Sequence, residues 1–208
     1  MPGEEILYKT LAREGEGRFT DRRSEFIGYA APVSGEEAAA SFVSGVRGRH
    51  PGARHVVFAY SVRNGAVKKY SDVGEPQGSA VRPVLGVLEK EEIDGAVIAV
   101  VRYFGGILLG TGGLVRAYSS AASAAVAAAG IARLRLCAEA EVTIDYNGYS
   151  KLLRLLPAVG ATAVSQQFGT AVSLSLLVPA EKLETLREAV RDVSSGSASF
   201  TVTVTKFA

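Results

Sequence analysis

The sequence predicts a two-domain α+β protein, and three features carry that prediction. The first is the stretch V-V-R-Y-F-G-G-I-L-L-G-T-G-G-L-V-R-A-Y, from Val100 to Tyr118. There a β-branched run passes through a Gly-rich turn into a small-residue helix. The second is Asn64-Gly65 between two apolar runs, a hairpin signal because both residues tolerate positive φ. The third is a restart of the pattern after Gly130, in the order β-α-β-β-α-β of a ferredoxin-like, split-βαβ domain. The boundary therefore falls between residues 131 and 132, giving an N-terminal domain 1–131 and a C-terminal ferredoxin-like domain 132–208.

Taken in order, Ile6 to Ala12 suits a first strand, and Gly15 and Gly17 loosen the chain after it. Phe26 to Val33 reads as a strand. Ser34 and Glu37 fit a capping box, and Ala39, Phe42, Val43 and Val46 then share one helical face that ends near Gly48. Val56 to Val62 and Ala66 to Tyr70 are strands. A polar loop follows, Ser71 to Ser79, and then a helix with Val81, Val84, Leu85 and Leu88 on one face and Pro83 in its first turn. Ala96 to Tyr103 is apolar almost throughout, as a central strand covered on both faces would be. The helix Leu114 to Ala129 is rich in alanine, which favours helix and permits close packing.

In the second domain, Ala140, Val142, Ile144 and Tyr146 alternate with polar residues, the pattern of a half-exposed strand. Tyr149, Leu152, Leu153 and Leu156 give a helix face. Ala161 to Gln167 and Val172 to Val178 make a hairpin about Gly169. Leu183, Leu186, Val190 and Val193 give a second helix, and Phe200 to Val204 alternates as the last strand.

Composition narrows the function. The apolar content of 48% and charged content of 21% are those of an ordinary globular chain. A net charge of +2 is far below that of a dedicated DNA-binding domain, so nucleic-acid contact needs a local patch. One cysteine, Cys137, excludes an internal disulfide and a cysteine-rich zinc site. Two histidines make a multi-His metal site unsupported. No G-x-x-x-x-G-K-[ST] or G-x-S-x-G segment occurs. No cofactor or metal is expected. No apolar run reaches the ~20 residues that cross a bilayer, and the acidic N-terminus lacks signal-peptide character. The expectation is a soluble, cytoplasmic protein with no membrane contact.

The candidate site is the Gly-rich stretch. A turn between a strand and a helix N-terminus aims backbone N–H groups at one spot and adds the positive end of the helix dipole. Gly105, Gly106, Gly110, Gly112 and Gly113 would supply the backbone, with Arg102 and Arg116 flanking and Lys68 and Lys69 as further cations. RNA phosphate is a natural ligand, and Tyr70, Tyr103 and Phe104 offer stacking faces, with core packing as the competing reading and the favoured one for Phe104. The same glycines would equally serve a tight turn that lets an alanine helix sit close on a sheet. Asp72 and Glu75 form an acidic loop without an assigned role. His55, at a strand start, is a candidate general base. Cys137 reads as core.

With these elements laid out, the sequence resembles the IMPACT/YigZ family. The resemblance rests on S-D-V-G-E-P-Q-G-S-A, Ser71 to Ala80, and on V-R-Y-F-G-G-I-L-L-G-T-G-G-L-V-R-A-Y, Val101 to Tyr118. S-E-F-I at Ser24 and R-H-P-G-A-R-H at Arg49 add to it. It covers the N-terminal domain closely and the C-terminal half by domain order. It implies a ribosomal-protein-like α/β sandwich like domain IV of elongation factor G, followed by a domain like its domain V. It also implies translational control, exerted through RNA, the ribosome or a protein partner, and no catalytic residues. The family's loop commonly reads D-D-G-E-P-x-G-T-A-G; here Val73, Ser79 and Val81 replace Asp, Thr and Gly. Val56 stands where Asn is common. Roles that need paired acids in the loop lose support accordingly.

The expected function is a translation-associated regulator that binds RNA or ribosome through the Gly-rich turn. Two alternatives stand beside it: an enzyme acting on a small phosphorylated or acidic ligand, with His55, Asp72 or Glu75 converging on it, and a protein-binding adaptor without catalysis.

Overall fold

The computed structural model describes residues 7–62, 65, 67–71, 75–76 and 78–207. Lys9–Arg133 form one compact unit; Leu134–Phe207, with the described residues before Lys9, form the other. The fold is mixed α+β, and both units are built on antiparallel sheet.

After β1 (Leu7–Leu11), the first unit contains β2 (Gly15–Asp21), β3 (Ser24–Pro32), α1 (Glu36–Arg49), β4 (His55–Val62) and β5 (Val67–Ser71). Then come α2 (Val81–Glu91), β6 (Ala96–Tyr103) and α3 (Gly110–Ala129). The sheet order is β2-β3-β6-β4-β5. The apolar β6 is central, as its composition demands. Its alternate side chains go to opposite faces. Val97, Ala99 and Val101 pack with Ala39, Val43 and Val46 of α1, whereas Ile98 and Val100 pack with α2 and α3. Helices therefore cover both faces of the sheet.

The alanine helix sits very close to that sheet. A Cβ on Gly28 would lie 2.3 Å from the Ala121 carbonyl oxygen, and one on Gly17 2.4 Å from the Ala125 nitrogen. A Cβ on Gly15 would lie 2.3 Å from the Ala129 nitrogen. Gly15 and Gly17 thus do not loosen the chain. They belong to β2, and their missing side chains are what admit α3. β2 was invisible to hydropathy because glycine stands where apolar residues would have marked its inward face.

Two crossovers build the sheet. β3 and β4 are parallel and flank β6, joined through α1; β5 and β6 are parallel and flank β4, joined through α2. The two run in opposite directions along the sheet, on strands of opposite sense. Crossovers of one hand would then put both helices on one face. Because α1 and α2 lie on opposite faces, one of the two is left-handed, against the strong right-handed preference.

The second unit contains β7 (Ile131–Ile144), α4 (Tyr146–Leu155), β8 (Thr162–Phe168), β9 (Val172–Pro179), α5 (Leu183–Val193) and β10 (Ser199–Phe207). The first residues of β7 belong to the other unit. The expected β-α-β-β-α-β order is present, with β7 central, paired to β9 and β10, and β8 on the far side of β9. Leu152, Leu156, Leu186 and Val190 close a core over Val142, Ile144, Leu174 and Leu176. Asp145 caps α4, its carboxylate accepting the Gly148 N–H at 2.6 Å.

Several boundaries differ from expectation. The capping box at Ser34 and Glu37 is absent: α1 follows Gly35 with no side-chain cap, and Glu36 accepts instead from Tyr60 and Lys69. Helix α3 begins at Gly110 rather than Leu114, so three of the candidate glycines form its first turn. Asn64 lies outside the described residues, although β4 and β5 do pair, with Val62 opposite Val67 and Gly65 at φ 73°.

Candidate functional site

The glycines of the candidate stretch have distinct jobs. Gly105 is a close-approach residue: its N–H donates to Ser24 Oγ at 3.1 Å, and a Cβ there would meet the Arg23 carbonyl carbon at 2.0 Å. Gly106 and Gly110 take φ of 82° and 70°, values that suit glycine best. A Cβ on Gly106, Gly110 or Gly112 would enter open space, and one on Gly113 would come within 3.0 Å of Leu109 Cβ. Helix α3 starts there with no side chain capping it. Its positive end is thus presented on a first turn in which three of four residues are glycine.

The tip of the β2–β3 hairpin lies against this turn. Arg22 and Arg23 are its two loop residues, both at positive φ, 44° and 66°. Asn or Gly usually holds such positions. The Arg22 guanidinium donates to the Leu108 carbonyl at 3.3 Å. Arg116, on α3, pairs with Asp21 at 2.9 Å and stays two-thirds exposed. Three arginines and an uncapped helix N-terminus therefore share one corner. Arg22 and Arg23 were not among the candidate site residues. The signal that would have added them is the D-R-R-S loop, legible only once β2 is recognised as a strand.

The other expected cations lie elsewhere. Lys68 pairs with Glu89 at 2.9 Å on the α2 side, and Lys69 pairs with Glu36 on the α1 side. Lys68 stands opposite Ser61, itself opposite Ala96. Arg102 is six positions further along β6, roughly 20 Å at strand spacing. The two lysines thus sit at the opposite end of the sheet from the glycines.

Arg102 itself is inside the protein. Its side chain is 7% exposed and donates through Nη1 to Glu75 Oε1 at 2.6 Å. Phe26 and Phe104 each hold a ring centre 5.5 Å from its guanidinium carbon. The same Glu75 oxygen accepts Tyr118 Oη at 2.8 Å and lies 3.7 Å from His55 Nδ1. Glu75 is 3% exposed, so one oxygen of a buried carboxylate collects groups from β4, β6 and α3. His55 and Glu75 do converge, therefore, and they do so around Arg102. Asp72 lies outside the described residues.

A third polar group sits on the α1 side of β6. His50 bridges Tyr29 Oη at 2.8 Å and Tyr103 Oη at 2.9 Å. Burial, and next the positive charge of Arg49, hold the His50 imidazole below its usual pKa. Cys137 is buried, and burial raises its thiol pKa. Among the described residues no three His, Cys, Asp or Glu side chains gather as a metal site would need. No helix among them is long and apolar enough to cross a membrane.

Comparison with known proteins gives a consistent picture. Residues 22–126 match the model of the Impact N-terminal domain, and residues 142–197 match a domain of unknown function, DUF1949. The IMPACT family member YigZ of Escherichia coli is 34% identical over 179 residues, 85% of this chain and 88% of its own. The IMPACT family member YvyE of Bacillus subtilis is 35% identical over 146 residues, 70% of this chain and 67% of its own. A crystal structure of a hypothetical protein matches with a TM-score of 0.61 at 30% identity, covering 95% of this chain and 98% of that one.

Proposed function

Since the chain belongs to the IMPACT family, we propose that it is a translation-associated regulator that binds RNA or the ribosome through phosphate contacts. One observation carries the reading: the uncapped N-terminus of α3, built on Gly110, Gly112 and Gly113, shares a corner with Arg22, Arg23 and Arg116. Backbone amides and arginines of this kind position phosphate without reading sequence. The exposed Arg116–Asp21 pair is worth at most about 1 kcal/mol, so a phosphate exchanges for Asp21 at little cost. The domain likenesses to elongation factor G belong to this proposal, which they would explain by a shared ribosomal setting.

The test is co-sedimentation with ribosomes and with free structured RNA at low and moderate salt. Binding is expected to weaken as salt rises, by roughly 0.7 to 0.9 in log–log slope per phosphate engaged. Replacing Arg22, Arg23 and Arg116 by Ala should reduce that slope by about 2 to 3 if each engages one phosphate. Salt-sensitive binding that persists unchanged in the triple variant would remove the corner from the proposal. A second reading, an enzyme on a small phosphorylated or acidic ligand, draws on one observation, the approach of His55 to Glu75 at 3.7 Å.

A further inference from the structure

The stretch R-H-P-G-A-R-H, Arg49 to His55, closes α1 and opens β4, and it walls a cavity. The cavity measures about 450 Å³ and is lined by Arg47, His50, Pro51, Ala53, Arg54 and Val56. That volume is typical of small-molecule sites and is more than a single inorganic anion fills. Val56 packs on the α1 side of the sheet, whereas Tyr118 and α3 lie on the other face. The cavity is therefore separate from the arginine corner and from the Glu75 cluster. Its cations are unpaired. Arg18, Arg102 and Arg116 each meet a carboxylate. Among the described residues, no carboxylate and no carbonyl accepts from Arg47, Arg49 or Arg54. The negative end of the α1 dipole amounts to about half a charge, against three guanidiniums. Two of the three are nonetheless seated on rings. Arg49 lies 4.6 Å from the Tyr29 ring centre and Arg47 lies 5.9 Å from that of Phe58. The wall is held as well. The His50 N–H donates to the Arg47 carbonyl at 3.1 Å and the Ala53 N–H to the His50 carbonyl at 3.0 Å. The His50 ring is fixed between Tyr29 and Tyr103.

We propose that this cavity binds a small phosphorylated molecule with a planar or apolar body, the chemistry of a nucleotide. Arg47 and Arg54 take the phosphate oxygens, and Arg49 adds positive potential from beside them. Guanidinium forks match phosphate geometry, and such charge-assisted hydrogen bonds are roughly twice as strong as neutral ones. Pro51, Ala53 and Val56 give the body of the ligand an apolar wall. His50 is wall and not donor, because both of its ring nitrogens are engaged by tyrosines. Arginines already seated on rings lose less freedom when they close on a ligand. A compact ligand fits better than an RNA strand, which needs a continuing track of cations. The next arginine to act on His50 beyond this cluster, Arg18, is already paired with Glu16 and Glu25. The inference stands apart from the RNA reading and from the approach of His55 to Glu75, and it needs no catalysis.

The test uses the full chain with ADP as the probe, and with adenosine and sodium chloride at matched ionic strength as controls. The chain has two histidines, so His50→Gln assigns their ring signals in NMR. ADP should shift the His50 signals saturably, adenosine far more weakly, and chloride not at all. Arg47→Gln combined with Arg54→Gln should weaken the apparent affinity for ADP by about tenfold or more. Its urea midpoint should stay close to the parent's, because both side chains are exposed and unpaired. Arg22→Ala with Arg23→Ala should leave the affinity for ADP within about twofold. No saturable shift with ADP overturns the proposal, as does an equal response to adenosine or full affinity in the Arg47 and Arg54 double variant. A shift given by structured RNA but not by ADP overturns it too, and assigns these arginines to a nucleic-acid surface. Arg22, Arg23 and Arg116 take no part in the readout, so failure here is distinguishable from failure of RNA binding at their corner.

Discussion

Gly28→Ala offers the sharpest test of how this sheet carries its helix. A Cβ at position 28 would stand 2.3 Å from the Ala121 carbonyl oxygen and 2.8 Å from its carbon, where ordinary contact begins at 3.4 Å. Both obstacles are backbone, so no side chain can rotate away. Helix α3 must retreat by about 1.1 Å locally, or β3 must bend by as much. A gap of that size forfeits a quarter to a half of each dispersion contact it opens. The contacts at stake are those of Ala117, Ala121, Ala122 and Ala125, all fully buried. The cost is about 2–4 kcal/mol, at or above the usual range for overpacking. Gly45→Ala is the control. Gly45 lies inside α1, where a Cβ meets nothing within 4 Å, and Ala there should stabilise by about 0.5–1 kcal/mol. Urea denaturation followed by circular dichroism reads both as shifts of midpoint at unchanged slope. A loss under about 0.5 kcal/mol for Gly28→Ala would refute the close-approach argument, whatever Gly45→Ala does.

Two further outcomes follow from titration. His50 is held below its ordinary pKa, so the folded protein resists its protonation. Its contribution to stability is therefore complete above the unfolded value near 6.5 and declines as pH falls through that value towards the folded one. His50→Gln should flatten this part of the acid limb in urea midpoints taken between about pH 7 and pH 5; equal losses in parent and variant would assign the acid sensitivity elsewhere. Cys137 is buried with a raised thiol pKa, so it should react with a thiol reagent far more slowly in the native protein than in urea. Equal rates would mean that the part of β7 carrying it opens freely.

Much of the fold was legible because hydropathy periodicity reports burial. The run Ala96–Tyr103 announced a strand covered twice, and the second unit's alternations announced its strands and helices in order. What stayed hidden is instructive. The strand β2 presents glycine where an inward side chain would be, so its burial is made by the helix rather than by itself. Helix α3 admits Gly110 to Gly113 into its first turn, against propensity, because the long apolar face behind them holds the helix. In the candidate site, Arg102 was legible as a charge at the end of an apolar strand and Glu75 as an acid in a polar loop. Their pairing was not, since 27 positions separate them and only the packing of the segment between β5 and α2 against β4, β6 and α3 brings them together. Arg22 and Arg23 failed for a related reason: a hairpin tip cannot be recognised until both of its strands are.

The position of β6 also governs when this unit can exist. Before β6 is added, the chain has made two separate ribbons, β2–β3 and β4–β5, with no hydrogen bonds between them. Two-stranded ribbons are marginal in water. β3 and β4 point the same way, and their native spacing leaves a slot one strand wide. The strand that fills the slot is the last of the five to be synthesised, and it pairs with both neighbours at once. On the ribosome, the residues that precede β6 therefore have two ribbons but no native five-stranded sheet to fall into, and the sheet is completed only when β6 arrives, like an arch receiving its keystone.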